Sequence, residues 1–530
     1  MQNHVMPNME LLLALLAAAT LLALLARRIG VPYPIVLVIG GAVLAAIPGV
    51  PEVKIPPNVV FLVFLPPLLY SGSLFVSLAE LRHNVQGILI LAIGLVLATV
   101  VLVAAVAHEL VGIPWSEAFV LGAILGATDP IAATAIIHRL GAPERIATLL
   151  EGEALVNDGT SLTAFKVALG AAGAASFSLG HGILEFVEVS LGGVAIGAGV
   201  GVAASWVSAR LDDPDLEIAV GILTAYGAYI AADRAGVSGV LAAVAAGLVT
   251  ARNASDIFSP GTRLRSYGFW QTAAFLLNAM LFLLVGLQLR AATEGIHGIG
   301  AGLLTGYSLA IIAALILLRL VWMFAVPALV PAIRRRLPDG QLRTSWREQL
   351  VLGWSGMRGA LSLAAALSLP VALGGHGHHD RGLIVFLAFA AILATLVLPG
   401  LTLTPLIRAL GIGQSERRVK EGIEVRIQVV RAALRELDQV DDSDGLSERA
   451  LGRLRDVYET RLDSLERRLS PEPEEDGAPQ GPRERELRRR VIDAQRKTLG
   501  QLASKRAAPV DVIREIEHDL DLDHQRLTRL

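Results

Sequence analysis

Six ionisable side chains stand in runs that are otherwise almost wholly apolar, and their types could do chemistry. They are Asp129 in GATDPIAATAI, Glu151, Glu153, Asp158 and Lys166 in and just beyond EGEALVNDGTSL, and Arg358 in GWSGMRGALSLA. A charge near the centre of a bilayer costs about 2.5–3.5 kcal/mol even on a lenient insertion scale, so such groups need a partner, water or an ion. Glu185, Glu188 and Arg319 read differently, as groups near the ends of their apolar runs whose heads reach the membrane interface.

Pro130 has no N–H and its ring clashes with the carbonyl four residues earlier, so a helix through GATDP must open near Thr128 and Asp129. An opened turn leaves backbone carbonyls that suit a hard monovalent cation, and the ends of the two half-helices add dipoles of both signs. Asp-Pro is also a common helix start, with Asp129 capping the second half; capping leaves the carboxylate free to line an ion site as well. On the next helix Glu153 and Asn157 share one face, whereas Asp158 shares another with Ala154, Ser161 and Leu162. One face can lock the helix while the other handles an ion. A carboxylate removed from water favours its protonated form and a bound cation favours the ionised form, so one carboxylate suffices for competition between Na+ and H+. A purely structural carboxylate fits Glu153 better than Asp158, because Arg358 on an opposing broken helix can serve as its partner.

Composition indicates what must hold these residues. Of 530 residues 53% are hydrophobic and 18% charged, with 52 glycines, no cysteine and a mean hydropathy of +0.57. Residues 411–530 hold 24 Lys and Arg and 26 Asp and Glu, leaving only 22 of each sign to residues 1–410. This contrast reads as a membrane domain over 1–410 and a soluble helical tail over 411–530. The lack of cysteine excludes disulfides, thiolate metal sites, iron–sulfur clusters and thiol catalysis. Both parts are close to neutral, which gives no field for nucleic acid. The sequence contains no phosphate loop or dinucleotide fingerprint, and neither a cofactor nor a metal beyond a transported cation is expected.

A helix crossing a hydrocarbon core of ~30 Å takes about 20 apolar residues. That ruler yields thirteen spans, at 9–26, 33–49, 59–78, 86–107, 116–137, 148–173, 182–208, 216–232, 236–251, 269–289, 299–328, 349–373 and 383–407. Arg27 and Arg28 follow the first, which lacks a basic leader and reads as a retained helix. With the N-terminus outside, the inward loops carry fourteen arginines (Arg27, Arg28, Arg82, Arg139, Arg145, Arg210, Arg252, Arg263, Arg265, Arg334–Arg336, Arg343 and Arg347), and the outward loops only Lys54, Arg234, Arg290 and Arg381. The excess places the tail in the cytoplasm. The odd count suggests two inverted six-helix repeats joined by the seventh span. The fifth and twelfth spans then correspond, and both are interrupted, by Gly122, Gly126 and Pro130 and by Gly353, Gly356 and Gly359 around Arg358. The expected fold is an all-α polytopic membrane protein.

GATDP, EGEALVND and GMRGALSLA, in this order on the fifth, sixth and twelfth spans, resemble the sodium/proton exchangers of the cation:proton antiporter 1 family over about residues 9–408. The resemblance implies a secondary transporter of the bacterial inner membrane, not an enzyme, exchanging Na+ (or K+ or Li+) for H+. It implies a homodimer in which a core with two crossed, unwound helices moves like an elevator against a dimerisation scaffold. By the same resemblance Asp158 carries cation and proton in turn, Asn157 stabilises it, Thr128 and Asp129 shape the site, Glu153 pairs with Arg358, and Asn before Asp goes with electroneutral exchange. Ser71 stands where many members place a carboxylate, and Ala154 where several have a serine ligand. Lys166 resembles a basic residue of the bacterial branch and receives no chemical role.

His376, His378, His379 and Asp380 read as a solvated outer loop rather than a metal site, and His138 as an interfacial histidine. In the tail, Val430, Leu434 and Leu437, then Leu451, Leu454, Val457, Leu462, Leu465 and Leu469, recur at helical steps; 470–482 reads as a linker, with further helices over 483–502 and after Pro509. An intramembrane aspartyl protease using Asp129 and Asp158 would need Tyr-Asp and Gly-x-Gly-Asp contexts, and a channel would need a pore filter; the sequence has neither.

Overall fold

The computed structural model describes residues 5–48, 59–76, 78–173, 179–211, 213–258, 260–294, 296, 299–329, 345–370, 378–412, 416–438, 448–469 and 495. It divides into two compact units, Met1–Ser415 and Glu416–Leu530. Among the described residues the regular structure is helical, with no strand.

In the first unit the helices are α1 (Val5–Ile29), α2 (Tyr33–Ala46), α3 (Val60–Leu74), α4 (78–111), α5 (Trp115–Ile124), α6 (Ile131–Leu140), α7 (Glu144–Gly173) and α8 (Leu179–Ser208). There follow α9 (Pro214–Arg234), α10 (Gly239–Ile257), α11 (Pro260–Leu287), α12 (Leu289–Glu294), α13 (Ala301–Leu329), α14 (Trp346–Trp354), α15 (Ala360–Leu367) and α16 (His378–Ala409). Among the described residues six stretches are long and apolar enough to cross a membrane, Asn84–Val111, Gly180–Ser208, Pro214–Arg234, Gly261–Leu287, Ala301–Val326 and Arg381–Ala409, and several shorter helices are apolar too. Local chemistry sets their starts: Asp213 accepts from the N–H groups of Asp215 and Leu216 ahead of α9, and Ser345 and Glu348 form a reciprocal capping box on α14.

Lipid tails are as apolar as leucine, so helices in a membrane associate largely through close approach of small residues. Gly193, Gly197 and Gly201 of α8 lie against Ser238, Ala242 and Ala246 of α10, where a Cβ on any of them would meet backbone atoms. Gly41 of α2 and Gly286 of α11 cross in the same manner, each against the other helix's backbone.

Two apolar stretches are divided. Residues 125–130 separate α5 from α6, and residues 355–359 separate α14 from α15. The two non-helical segments touch: the Asp129 N–H donates to the Met357 carbonyl at 2.8 Å. Gly359 is required at this crossing, because a Cβ there would strike the Asp129 carboxylate and stand 2.6 Å from Asp129 Cβ.

In the second unit α17 (Glu416–Asp438) pairs with α18 (Glu448–Leu469). Ile423, Ile427 and Val430 bury against Leu465, with Leu434, Tyr458 and Leu462 alongside. Val457, expected on the apolar face, is instead exposed, and Tyr458 takes that place. The expected linker 470–482 and the helices beyond it lie outside the described residues, as do His376 and the side chains of His378, His379 and Asp380.

Candidate ion-binding site

Helix α7 runs unbroken past the two divided stretches, because EGEALVNDGTSLTAF contains no proline and its glycines accept close neighbours: Gly159 packs under Leu241 and Gly152 under Ile88. It carries Glu153, Asn157, Asp158 and Ser161. Glu153 is 1% exposed and receives both arms of Arg319, Nη1 to Oε1 at 2.6 Å and Nη2 to Oε2 at 2.8 Å. Thr128, in the first non-helical segment, donates its hydroxyl to Glu153 Oε1 at 3.0 Å and accepts a short hydrogen bond from Asn157 Nδ2. The shared face expected for Glu153 and Asn157 thus grips the opened chain between α5 and α6. On the other face Ser161 donates to the Ala123 carbonyl, which tethers α7 to α5.

The expected Glu153–Arg358 pair does not form; Arg319 takes that place. Arg358, 3% exposed, donates Nε to the Leu125 carbonyl at 3.2 Å and Nη1 to the Gly356 carbonyl at 2.9 Å. The physical reason is the opened backbone. A helix that stops inside a membrane leaves carbonyls with no intrahelical donor and the negative end of its dipole exposed. Arg358 answers the ends of α5 and α14, while Arg319 adds an Nε bond to the Leu352 carbonyl. Setting Arg319 aside as interfacial was therefore wrong: it is 2% exposed, deep within α13. The sequence held the signal, since nine residues separate it from the end of its apolar run, about 14 Å of helix, too far for a guanidinium to reach water.

Asp129 accepts from the Ile131 N–H at 2.9 Å, the capping role weighed for it. Asp158 is half-buried, lies within electrostatic reach of Asp129, and has no hydrogen bond or ion pair among the described residues. Glu151 belongs to the surface, with its side chain 41% exposed and 3.6 Å from His138. Lys166 forms an exposed pair with Asp233 at 3.4 Å. Ser71 is buried and donates to the Leu68 carbonyl of its own helix, and Ala154 offers no oxygen. Asn157 Oδ1 and Ser362 Oγ are buried without a hydrogen-bond partner among the described residues. No group of three or more histidines and carboxylates that could hold a resident metal occurs among the described residues.

A helical, multi-pass membrane protein with interrupted helices meeting beside an unpaired carboxylate has the form of a secondary transporter. Residues 12–409 match the family described as sodium/hydrogen exchanger, transmembrane, and the chain belongs to that family. It is 33% identical over 524 residues to an uncharacterised Na+/H+ exchanger of Mycobacterium tuberculosis, covering 98% of this chain and 96% of that one. It is 32% identical over 438 residues to the Na+/H+ antiporter ApNhaP of Aphanothece halophytica, covering 82% and 80%. Its fold is similar to that of the sodium proton antiporter MjNhaP1 from Methanocaldococcus jannaschii, with a TM-score of 0.61 at 18% identity, over 77% of this chain and 99% of that one.

Proposed function

We propose that this chain exchanges Na+ for H+ across the membrane by alternate binding of the two ions at Asp158. The observation that carries the reading is Asp158 itself, a carboxylate unpaired among the described residues, on an unbroken helix beside two divided ones. Membership of the sodium/hydrogen exchanger family supports it, as do relatives named as Na+/H+ antiporters. Protonation and cation binding exclude each other at one carboxylate, and that exclusion couples the two fluxes. Thr128, Asp129 and Asn157 shape the site, Pro130 keeps the helix open, and the cation exchanged is Na+, with K+ and Li+ as alternatives that the same flux assay compares. Asn157 before Asp158 favours electroneutral exchange.

The architecture behind this function is thirteen spans over residues 1–410 in two inverted repeats, N-terminus outside, with the 411–530 tail in the cytoplasm of a bacterial cell. Support for the repeats comes from paired contacts. The second span crosses the tenth at Gly41 and Gly286, and the ninth packs on the third at Gly247, where a Cβ would stand 2.8 Å from the Tyr70 carbonyl. An inverted repeat exchanges these two pairs. The dimer and the elevator-like movement rest on the family resemblance.

The test is Na+-driven proton flux in vesicles. Asp158→Ala and Asp158→Asn should insert normally and lose exchange; exchange retained by the Asn variant removes Asp158 from the mechanism. Flux beyond transporter rates and uncoupled from protons would indicate a channel.

A further inference from the structure

We propose that the cavity between the ends of α1 and α6 seats the phosphate head group of an anionic phospholipid, with an acyl chain laid along α1. The cavity is partly open and measures about 330 Å3, the size of a small-ligand site. Its walls come from α1, the turn into α2, α6 and α11. Tyr33 and Phe275, which meet edge to face with ring centroids 5.4 Å apart, line it together with Ala23, Ala26, Val31 and Ile136. Two of the lining residues are charged, Arg27 and Arg139, and none is acidic. Arg139 donates Nη1 to the Gly30 carbonyl at 2.6 Å, which holds its guanidinium over the α1–α2 turn. Arg27 has no hydrogen bond or ion pair among the described residues.

Both arginines stand in the last turns of their helices, where each answers a helix dipole worth about half a negative charge; about one positive charge is left over. A cavity with apolar walls and uncompensated positive charge fits an anion that brings its own apolar part. A small soluble anion would instead give up its water against those walls. The face of α1 that leads to Arg27 has room for the apolar part: Leu13, Leu16, Thr20 and Leu24 follow one another at three- and four-residue steps and all are exposed. From Leu13 to Arg27 is about 21 Å of helix, more than the ~15 Å that one leaflet contributes to the hydrocarbon core. In the orientation proposed above this is the cytoplasmic leaflet. Seated there, the head group bridges α6, the second half of the divided fifth span, to α1 and its turn.

The test titrates the purified full chain in neutral detergent with phosphatidylglycerol, phosphatidylcholine and inorganic phosphate, and counts bound lipid by native mass spectrometry. Phosphatidylglycerol should be retained in preference to phosphatidylcholine. Arg27→Gln should weaken its retention about five-fold, the size of one guanidinium's attraction for an anionic leaflet, and Arg139→Gln at least as far. Arg28→Gln, next to Arg27 but outside the lining, should match the parent. Ala135→Phe fills the cavity from an exposed position with every charge in place, and it too should weaken retention. If Arg139→Gln does not insert, through loss of its bond to Gly30, Arg27→Gln and Ala135→Phe carry the test. Equal loss in Arg28→Gln, or parental retention in Ala135→Phe, reduces the site to general attraction by a basic surface and overturns the proposal. Displacement of the lipid by an equal concentration of inorganic phosphate makes it a soluble-anion site and overturns it as well. Retention by the monomer but not by the dimer in the same spectra gives the α1 face to a second copy, with the same consequence.

Discussion

The pairing of Glu153 with Arg319 rather than Arg358 makes a quantitative prediction. Both groups of the pair are buried, with side chains 3% and 2% exposed, and the contact is bidentate. Removing one member of a buried ion pair leaves an uncompensated charge and typically costs about 3–5 kcal/mol, whereas replacing both by apolar groups of similar volume is often near neutral. Arg319→Leu leaves Glu153 with the Thr128 hydroxyl as its remaining donor among the described residues, and Glu153→Leu strands the guanidinium with one bond to the Leu352 carbonyl. Each single change should therefore destabilise by about 3 kcal/mol or more, and the double change by much less than their sum, a coupling of about 2–3 kcal/mol. Arg358 lies within electrostatic reach of Glu153 but bonds to carbonyls. Its cycle with Glu153 should give under about 1 kcal/mol. Reversible unfolding of the purified protein in mixed micelles measures both cycles. A coupling to Arg358 that equals or exceeds the coupling to Arg319 would refute the assignment.

Further outcomes follow from the same geometry. Gly359→Ala should abolish exchange, because the added methyl displaces Asp129 at the crossing, and it should do so with normal membrane insertion; wild-type flux would mean the two segments can part without consequence. Acidification protonates a carboxylate that must be ionised to bind Na+, so the apparent KM for Na+ should rise toward ten-fold per pH unit on the acid side while the rate at saturating Na+ holds, as read by flux titrations across pH. Gly197→Val should break the α8–α10 contact and lower thermal stability, whereas Gly199→Val, with open space at its Cβ position, should not. Lys166→Met, removing an exposed pair, should change stability by under about 1 kcal/mol.

The interruptions were legible because their causes are local. Pro130 cannot continue a helix, and Gly359 marks a place where another chain passes too close for a side chain. The Glu153–Asn157 face was legible from helical periodicity. The partner of Glu153 was not, since two arginines competed for it and the choice turns on which carbonyls the opened helices leave unanswered, a property of the assembled backbone. Glu151 was misplaced because α7 begins at Glu144, earlier than the apolar run suggests, which leaves Glu151 at the surface beside His138. Tyr458 in place of Val457 is a one-residue rotation of a helix whose both faces carry some apolar side chains.

The relocation of the ion pair bears on transport itself. A carboxylate that exchanges Na+ for H+ works only if no fixed cation of the protein occupies it, because a tethered guanidinium at a few ångströms has an effective concentration no dissolved ion can match. Two arginines are buried near the crossing, and either could silence Asp158. One is held by Glu153 in a two-point contact, and the other by the carbonyls of two helix ends. Asp129 is occupied as a cap. Glu153 thus acts on the proposed carrier by what it withholds from it. Removing the carboxylate, as in Glu153→Leu, should release Arg319 and weaken Na+ binding at Asp158 by charge, read as a raised apparent KM for Na+.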